Sequence, residues 1–451
     1  MKLRSFIALL LAAAMLMGLL SGCATSPEEP ETTTEATEPS TEPEVIDNYG
    51  KNDVTALADY SISTAAPDDE NMSAVVAVDA DGNPVITNRV MQLLYWLEFY
   101  TFMSSYGSYA IYLGLDASAP LAGQASLTEN RTWEQYFLEA AATNFSEEYA
   151  LYCEAEAVGF TLSEEDQAYI DDISDPAGDL ATSALASGYE SAEAYIQATF
   201  GPGVTLEDYL LYVKIFITAN AYYTETYTGL QVEADAADEA TLSDYYDANV
   251  DTFEENQVWK VNNVSVRHIL IEPEAADETS TDYTDEEWAA AEAKANEVLT
   301  LWQQNPTEDY FAELANEKSA DPGSNTNGGL YEDFPSNQMV AEFSEWCFDQ
   351  SRQPGDTGIV KTSYGYHIMY FVGQTETKAW MDSVREQMIS DQMTAFIDEQ
   401  CEAYPLLFDY AKIRLFDVST LQVEEPAENE TVQESTGTES AGVTEATEAS
   451  E

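Results

Sequence analysis

The hydrophobic period of this chain changes at Val264, and that change constrains the fold more than any other feature. Upstream the pattern is helical. An apolar face with Val90, Leu93, Leu94, Leu97 and Phe102 opens it, and helices with readable caps follow. Thr132 with Gln135 fits a capping box before 133–157, and Gly159 is a natural stop. Ser163 with Asp166, Ser191, Thr205 with Asp208, and Ser243 open further helices. The text then becomes Val264-Ser265-Val266-Arg267-His268-Ile269-Leu270-Ile271, which alternates and then runs apolar, the pattern of a buried strand. A helical module is therefore followed by a mixed domain.

The mixed segment is short enough for one domain. Thr284 with Glu287 caps a helix whose inner face is Trp288, Ala291, Ala295, Val298 and Trp302, and Pro306-Thr307 starts a second with Phe311 and Leu314. A Gly/Asn/Ser/Pro loop at 321–329, a helix with Val340, Phe343 and Trp346, and two hairpin strands at 355–362 and 365–373 complete it. Residues 376–404 read as one more amphipathic helix. At the other end, 74–78 is strand-like, Asp81-Gly82-Asn83-Pro84 is a turn, and Val85-Ile86-Thr87 is extended again. With 45% hydrophobic residues the chain can build packed cores, and 451 residues suggest two or three domains.

Charge excludes one class of partner. There are 16 Lys+Arg against 84 Asp+Glu, for a formal net charge of −68. A nucleic-acid binder replaces phosphate counterions with clustered cations, and here there are almost none to cluster, so no nucleic-acid partner is expected. Residues 24–50 and 419–451 are acidic, contain no Lys or Arg and lack hydrophobic periodicity, so both read as disordered. The body between them is also acidic, which keeps it soluble and draws basic partners.

The first 22 residues read as an export signal: Lys2 and Arg4, then an apolar run from Phe6 to Leu20. The run ends in Leu20-Ser21-Gly22-Cys23, which resembles the lipobox of bacterial lipoproteins, with Cys23 as the lipidated residue. That implies anchoring on the extracytoplasmic face of a cell membrane without a spanning helix. The remaining cysteines, Cys153, Cys347 and Cys401, are odd in number and make no disulfide framework; one disulfide among them stays open.

Both histidines of the chain fall in the mixed segment, His268 on its first strand and His367 on its last. The segment resembles the parvulin-type peptidyl-prolyl cis/trans isomerases. The matching stretches, in family order over 264–373, are Arg267-His268-Ile269-Leu270-Ile271, Phe311-Ala312-Glu313-Leu314-Ala315, Ser319-Ala320-Asp321, Asn327-Gly328-Gly329-Leu330, Gln338-Met339-Val340-Ala341-Glu342-Phe343, and Val360-Lys361-Thr362-Ser363-Tyr364-Gly365-Tyr366-His367-Ile368. The resemblance implies His268, Asp321 and His367 as the polar floor and wall of the active site. It implies Leu330, Met339 and Phe343 as the proline pocket, with Thr362, Ser363 and Gln338 in support. The family often reads Gly-Gly-Asp-Leu-Gly where this chain has Gly328-Gly329-Leu330-Tyr331-Glu332, so the local turn differs and the place of Leu330 is open.

Around that segment, the lipobox, helical module and closing helix look like PrsA-type foldase lipoproteins, and the module is similar to SurA-type chaperones through Val76-Ala77-Val78, Gly82-Asn83-Pro84-Val85-Ile86-Thr87, Gly201-Pro202-Gly203-Val204-Thr205-Leu206 and Leu242-Ser243-Asp244-Tyr245-Tyr246. The expected fold class is α+β: a mostly helical chaperone lobe, formed by the N-terminal module and the C-terminal helix, with an inserted parvulin-like domain whose four-stranded antiparallel sheet is flanked by helices. The expected division is a signal at 1–22, an anchored Cys23 and disordered linker at 23–72, the helical module at 73–261, the parvulin-type domain at 262–374, a closing segment at 375–418 whose helix packs on the chaperone lobe, and a disordered tail at 419–451. The implied activity is isomerisation of X–Pro bonds in unfolded or newly exported polypeptides. No bond is broken, so no nucleophile, metal or cofactor is required; binding the twisted amide better than the planar one suffices. A non-catalytic holdase with a degenerate parvulin domain is the alternative. A solute-binding lipoprotein would share the address but needs alternating strands and helices, which 90–260 lacks.

Overall fold

The structure is a computed structural model that describes residues 46–47, 60–117, 119–121, 123–126, 131–275 and 283–418. The export signal 1–22, Cys23, the linker up to residue 45, residues 48–59 and the tail 419–451 lie outside the described residues. In chain order the elements are β1 (Ile46–Asp47), β2 (Ser61–Ser63), α1 (Asp69–Ser73), β3 (Val75–Val78), β4 (Pro84–Thr87), α2 (Asn88–Tyr106), α3 (Trp133–Val158), α4 (Glu164–Ser174), α5 (Asp179–Ala186), α6 (Ala192–Phe200), α7 (Leu206–Ala236), α8 (Glu239–Ala248) and α9 (Val250–Glu255). There follow β5 (Val264–Ile271), α10 (Asp285–Trp302), α11 (Glu308–Lys318), β6 (Leu330–Phe334), α12 (Ala341–Cys347), β7 (Thr357–Thr362), β8 (Gly365–Gln374), α13 (Trp380–Ala403), β9 (Leu407–Phe408) and β10 (Arg414–Phe416). Among the described residues no helix is long and apolar enough to cross a membrane, and Cys153, Cys347 and Cys401 are not joined in a disulfide.

Caps set most helix starts where the sequence places them. Thr132 and Gln135 exchange side-chain-to-backbone bonds ahead of α3, and Thr284 with Glu287 forms the full capping box of α10. Helix α8 is an exception. It starts at Glu239, before the expected Ser243, because the Asp238 carboxylate accepts from the Thr241 N–H and caps the first turn.

Contacts divide the chain into two compact units. Of the described residues, the first takes those up to 146, 163–214 and 405–418; the second takes those in 147–162 and 215–404. The first unit is built around α2, whose Leu93, Tyr95 and Trp96 are fully buried with Trp133 and Phe137 of α3. Two polar residues of α2 are also fully buried, and both bond to the segment 412–416. Asn88 donates to the Lys412 carbonyl and accepts from the Arg414 N–H. Gln92 accepts from the Phe416 N–H and donates to the carbonyls of Phe200 and Phe416. Strand β10 pairs in parallel with β2, and β9 lies between β1 and β3 in a sheet of order β1-β9-β3-β4.

These pairings correct two sequence expectations. Residues 61–63 and 69–72, assigned to the disordered linker 23–72, lie in β2 and the capped helix α1. Segment 375–418 is a helix followed by two short strands. Neither β2 nor β10 has a local hairpin signal, since each finds its partner at the far end of the chain.

In the second unit α13 lies against α8 and the end of α7. Trp380 and Val384 pack with Leu242, Tyr246, Phe253 and Val258, and Ile389 and Met393 pack with Ala234. The same unit holds a four-stranded antiparallel sheet of order β6-β5-β8-β7, flanked by helices as expected. Strand alternation divides this sheet into two faces. Ile269 and Ile368 face one side, where Ala291, Ala295, Val298 and Trp302 of α10 and Phe311 and Leu314 of α11 cover them. Val264, Val266, Met369 and Phe371 face the other, against Phe343 and Cys347 of α12. His268 and His367 stand on this second face, which α12 covers only in part.

Candidate active site

Register brings the two histidines together. In the β5–β8 ladder His268 opposes Met369, and Leu270 opposes His367. The two imidazoles are therefore diagonal neighbours on one face, where side chains reach across. Their Nδ1 atoms are 3.0 Å apart, and the rings lie nearly parallel with centroids 5.2 Å apart. Both side chains are buried.

Each outer nitrogen has a partner. His268 Nε2 is 2.8 Å from Asp321 Oδ2, and His367 Nε2 is 2.9 Å from Thr362 Oγ1. Asp321 also accepts the Ser324 hydroxyl, the Tyr331 hydroxyl at 3.1 Å and the Gly323 N–H at 3.1 Å. The His268 hydrogen bond, with those from Ser324 and Gly323, holds the Asp321 carboxyl well below the usual carboxylate range against the opposing effect of burial. An ionised carboxylate only accepts, so His268 Nε2 carries a proton. In the neutral ring its Nδ1 is then bare and must accept from His367 Nδ1–H. That leaves His367 Nε2 as an acceptor, so the Thr362 hydroxyl donates to it while accepting the Tyr364 N–H at 3.1 Å. The hydrogen bonds of the neutral pair thus run in one direction, from the β7–β8 turn to Asp321. Burial, reinforced by His268, pushes the His367 imidazolium down to about 4.

The loop that carries Asp321 is held on β5 by two glycines and one arginine. Gly328 and Gly329 have φ of +76° and +70°. A Cβ on Gly329 would stand 2.2 Å from the His268 carbonyl oxygen, and one on Gly328 would stand 2.6 Å from Ala312 Cβ. This approach lets the His268 N–H donate to the Gly329 carbonyl at 2.8 Å. Arg267, on the opposite face from His268, donates to the carbonyls of Asn327 and Gly328 and pairs with Glu308.

An apolar wall stands over the relay. The Phe343 ring meets both imidazoles edge-on, each centroid 5.3 Å away, and half-buried Met339 packs in the same cluster. Leu330 is not in that wall. It opposes Arg267 in the β5–β6 ladder, while Tyr331 opposes Val266 and so shares the histidine face. The Tyr331 ring lies 5.4 Å from that of His268. Ser363 is exposed in the β7–β8 turn, and Gln338 is exposed before α12; of the supporting residues, Thr362 is the one hydrogen-bonded to a histidine.

Two members of the site were not anticipated from the sequence. Ser324 has a local signal, since a serine three residues after an aspartate in a Gly/Asn/Ser loop can bond back to it. Tyr331 has none that acts alone, because its face depends on the register and on the irregularity of the β5–β6 ladder between Val264 and Val266. Among the described residues no cluster of His, Cys, Asp and Glu could hold a metal ion.

Residues 252–375 match the family model of the PPIC-type PPIase domain. The chain is 29% identical over 149 residues to the foldase protein PrsA 1 of Listeria innocua, a match spanning 31% of this chain and 44% of that one. It is 30% identical over 144 residues to the chaperone SurA of Pseudomonas putida, spanning 32% of this chain and 30% of that one. The solved structure of the peptidylprolyl isomerase PrsA from Bacillus anthracis aligns with 57% of this chain and 94% of its own at 15% identity, with a TM-score of 0.25. The matched segments cover less than half of these two curated relatives. Residues 252–375 are a parvulin, or PPIC-type, domain, carried in a chain similar to PrsA-type foldases and SurA-type chaperones.

Proposed function

We propose that this chain is an extracytoplasmic, membrane-anchored foldase whose parvulin domain isomerises X–Pro bonds in exported polypeptides and whose helical lobe holds unfolded segments. The observation that carries the reading is the hydrogen-bonded histidine pair beneath Phe343 and Met339. Amide resonance sets a barrier of about 18–20 kcal/mol to rotation about the X–Pro bond, and a twisted amide has lost that resonance and its charge separation. An apolar wall beside the bond favours the twisted form over the planar one, which is sufficient for catalysis. Met339 and Phe343 would receive the proline ring. His268, His367, Asp321 and Thr362 would form a floor of fixed polarity beneath the rotating bond, with no proton transferred to solvent. Covalent chemistry is not part of this reading: burial pushes the Cys347 thiol up, out of thiolate range, and places it in the core. The lipobox at Cys23 and the export signal support the membrane address. The acidic body favours basic, unfolded clients.

A second reading, a non-catalytic holdase, draws on the altered turn at 330–334, where Tyr331 and not Leu330 shares the histidine face. Refolding of a substrate limited by a slow prolyl step separates the two. A foldase raises the rate of the slow phase. A holdase raises the yield and leaves the slow rate unchanged, and that result would overturn the first reading.

A further inference from the structure

Asp321 ends the relay, yet its side chain is 15% exposed, whereas that of His268 is 4% exposed. A carboxylate open to water has several orientations available to it. Here Tyr331 closes one side of it. The phenol hydroxyl donates to Asp321 Oδ2, the same oxygen that accepts from His268. Its ring lies over His268. The loop backbone is packed onto the hydroxyl so closely that a Cβ on Gly323 would stand 2.8 Å from it.

We infer that Tyr331 is a positioning residue for the isomerase site: through Asp321 it sets the direction of the histidine relay. The inference rests on the isomerase reading for its consequence in catalysis, but not for its effect on the histidines. Among the described residues, the titratable groups on Asp321 are His268 from β5 and Tyr331 from β6, with His367 of β8 behind His268. Arg267 points to the other face, toward Glu308. The phenol itself stays protonated at all working pH values, since burial and the Asp321 charge push it up to about 12. It therefore acts only as a donor. Removing the hydroxyl leaves more of the carboxylate's charge for His268, which favours an imidazolium on the pair. It also removes a donor to the anion and so makes Asp321 easier to protonate. Both changes move the acid limb of activity to higher pH.

The test compares wild type, Tyr331→Phe, Asp321→Asn and the double variant as full chains. Phenylalanine keeps the ring over His268 and deletes only the donor. With a proline-containing peptide as probe, Tyr331→Phe is expected to lower kcat/KM about tenfold, as for one lost hydrogen bond to a charged group, and to raise the acid limb. In the Asp321→Asn background it should cost nothing more. The imidazole nitrogen NMR signals provide a readout independent of turnover: Tyr331→Phe should raise the pH at which the pair takes its first proton. Additive losses in the double variant, or a histidine titration identical to wild type, would overturn the inference. If wild type itself shows no isomerase activity, the foldase reading fails, and the histidine titration still decides the role of Tyr331.

Discussion

Replacing His367 with asparagine should flatten the acid sensitivity of the sheet that carries the site. The wild-type imidazole has an ordinary value of 6.5 and is pushed down to about 4 by burial and by His268. The folded form binds the proton less tightly, so the unfolded state takes it up first as the pH falls below 6.5. Stability drops from there until about pH 4. At about 1.4 kcal/mol per unit, pH 5 lies roughly 1.5 units into that window, and the wild type loses about 2 kcal/mol relative to pH 7.5. Asp321 acts lower, since its stabilising contribution is present above the ordinary carboxylate value of 3.8 and is lost only as the pH falls further. Glu147, in the same unit, works in the opposite sense: burial, with the Asp398 charge, raises it to about 7, so it favours the folded state as the pH falls. The raw pH profile therefore mixes opposing effects, and the quantity to compare is the difference between wild type and variant. Hydrogen exchange of the Ile269 and Ile368 amides, in the central strands, reads it locally. Between pH 7.5 and 5 the wild type should lose about 2 kcal/mol of protection more than the variant. Parallel losses would refute a neutral, buried His367 and with it the one-directional relay.

Two further expectations follow from separate features. Gly329→Ala places a Cβ 2.2 Å from the His268 carbonyl at a φ of +70°; the loop must withdraw, at a cost of about 3 kcal/mol or more, and isomerase activity should fall with it, as denaturant titration and peptide turnover would show. Glu98 of α2 accepts from Asn144 and is raised to about 7 by burial. Its protonated form suits the fold, and that advantage is lost as the pH rises from 4.5 to 7. Glu98→Gln should therefore gain roughly 3 kcal/mol over wild type across that window and stay level above it, measured by unfolding at a series of pH values.

The parts of this molecule legible in the sequence are those fixed locally or by strand alternation. His268 and His367 each sit in a short run whose period marks a strand, and antiparallel pairing of those strands leaves few ways to place two histidines on one face. Helix starts at Thr132, Thr205 and Thr284 were readable because a cap and its partner lie three residues apart. The turn after Gly329 was not readable in the same way. Leu330 and Tyr331 are adjacent, and a shift of one residue exchanges their faces; the irregular ladder at Val264–Val266 and the positive φ of Asp333 decide between them. Thr362 and Ser363 are adjacent too, and the choice falls on Thr362 because it is still in β7 while Ser363 is in the turn. At the chain ends the missing information is tertiary. Nothing near Ser61 announces a strand, since the backbone groups that complete it belong to 414–416. Asn88 and Gln92 are polar residues in an apolar helix, and their partners, the backbone groups of 412–416, lie more than 300 residues away in sequence.

The most direct measurement is protease-coupled isomerisation of an X–Pro peptide by the full chain, run with wild type, Met339→Ala and His268→Ala. Wild type should shorten an uncatalysed relaxation of tens to hundreds of seconds in proportion to its concentration. Met339→Ala should lower kcat/KM by about tenfold through loss of the apolar wall, and His268→Ala should lower it further by breaking the relay. A wild-type rate equal to the uncatalysed one, with both variants unchanged from it, would contradict the assignment of this site to prolyl isomerisation.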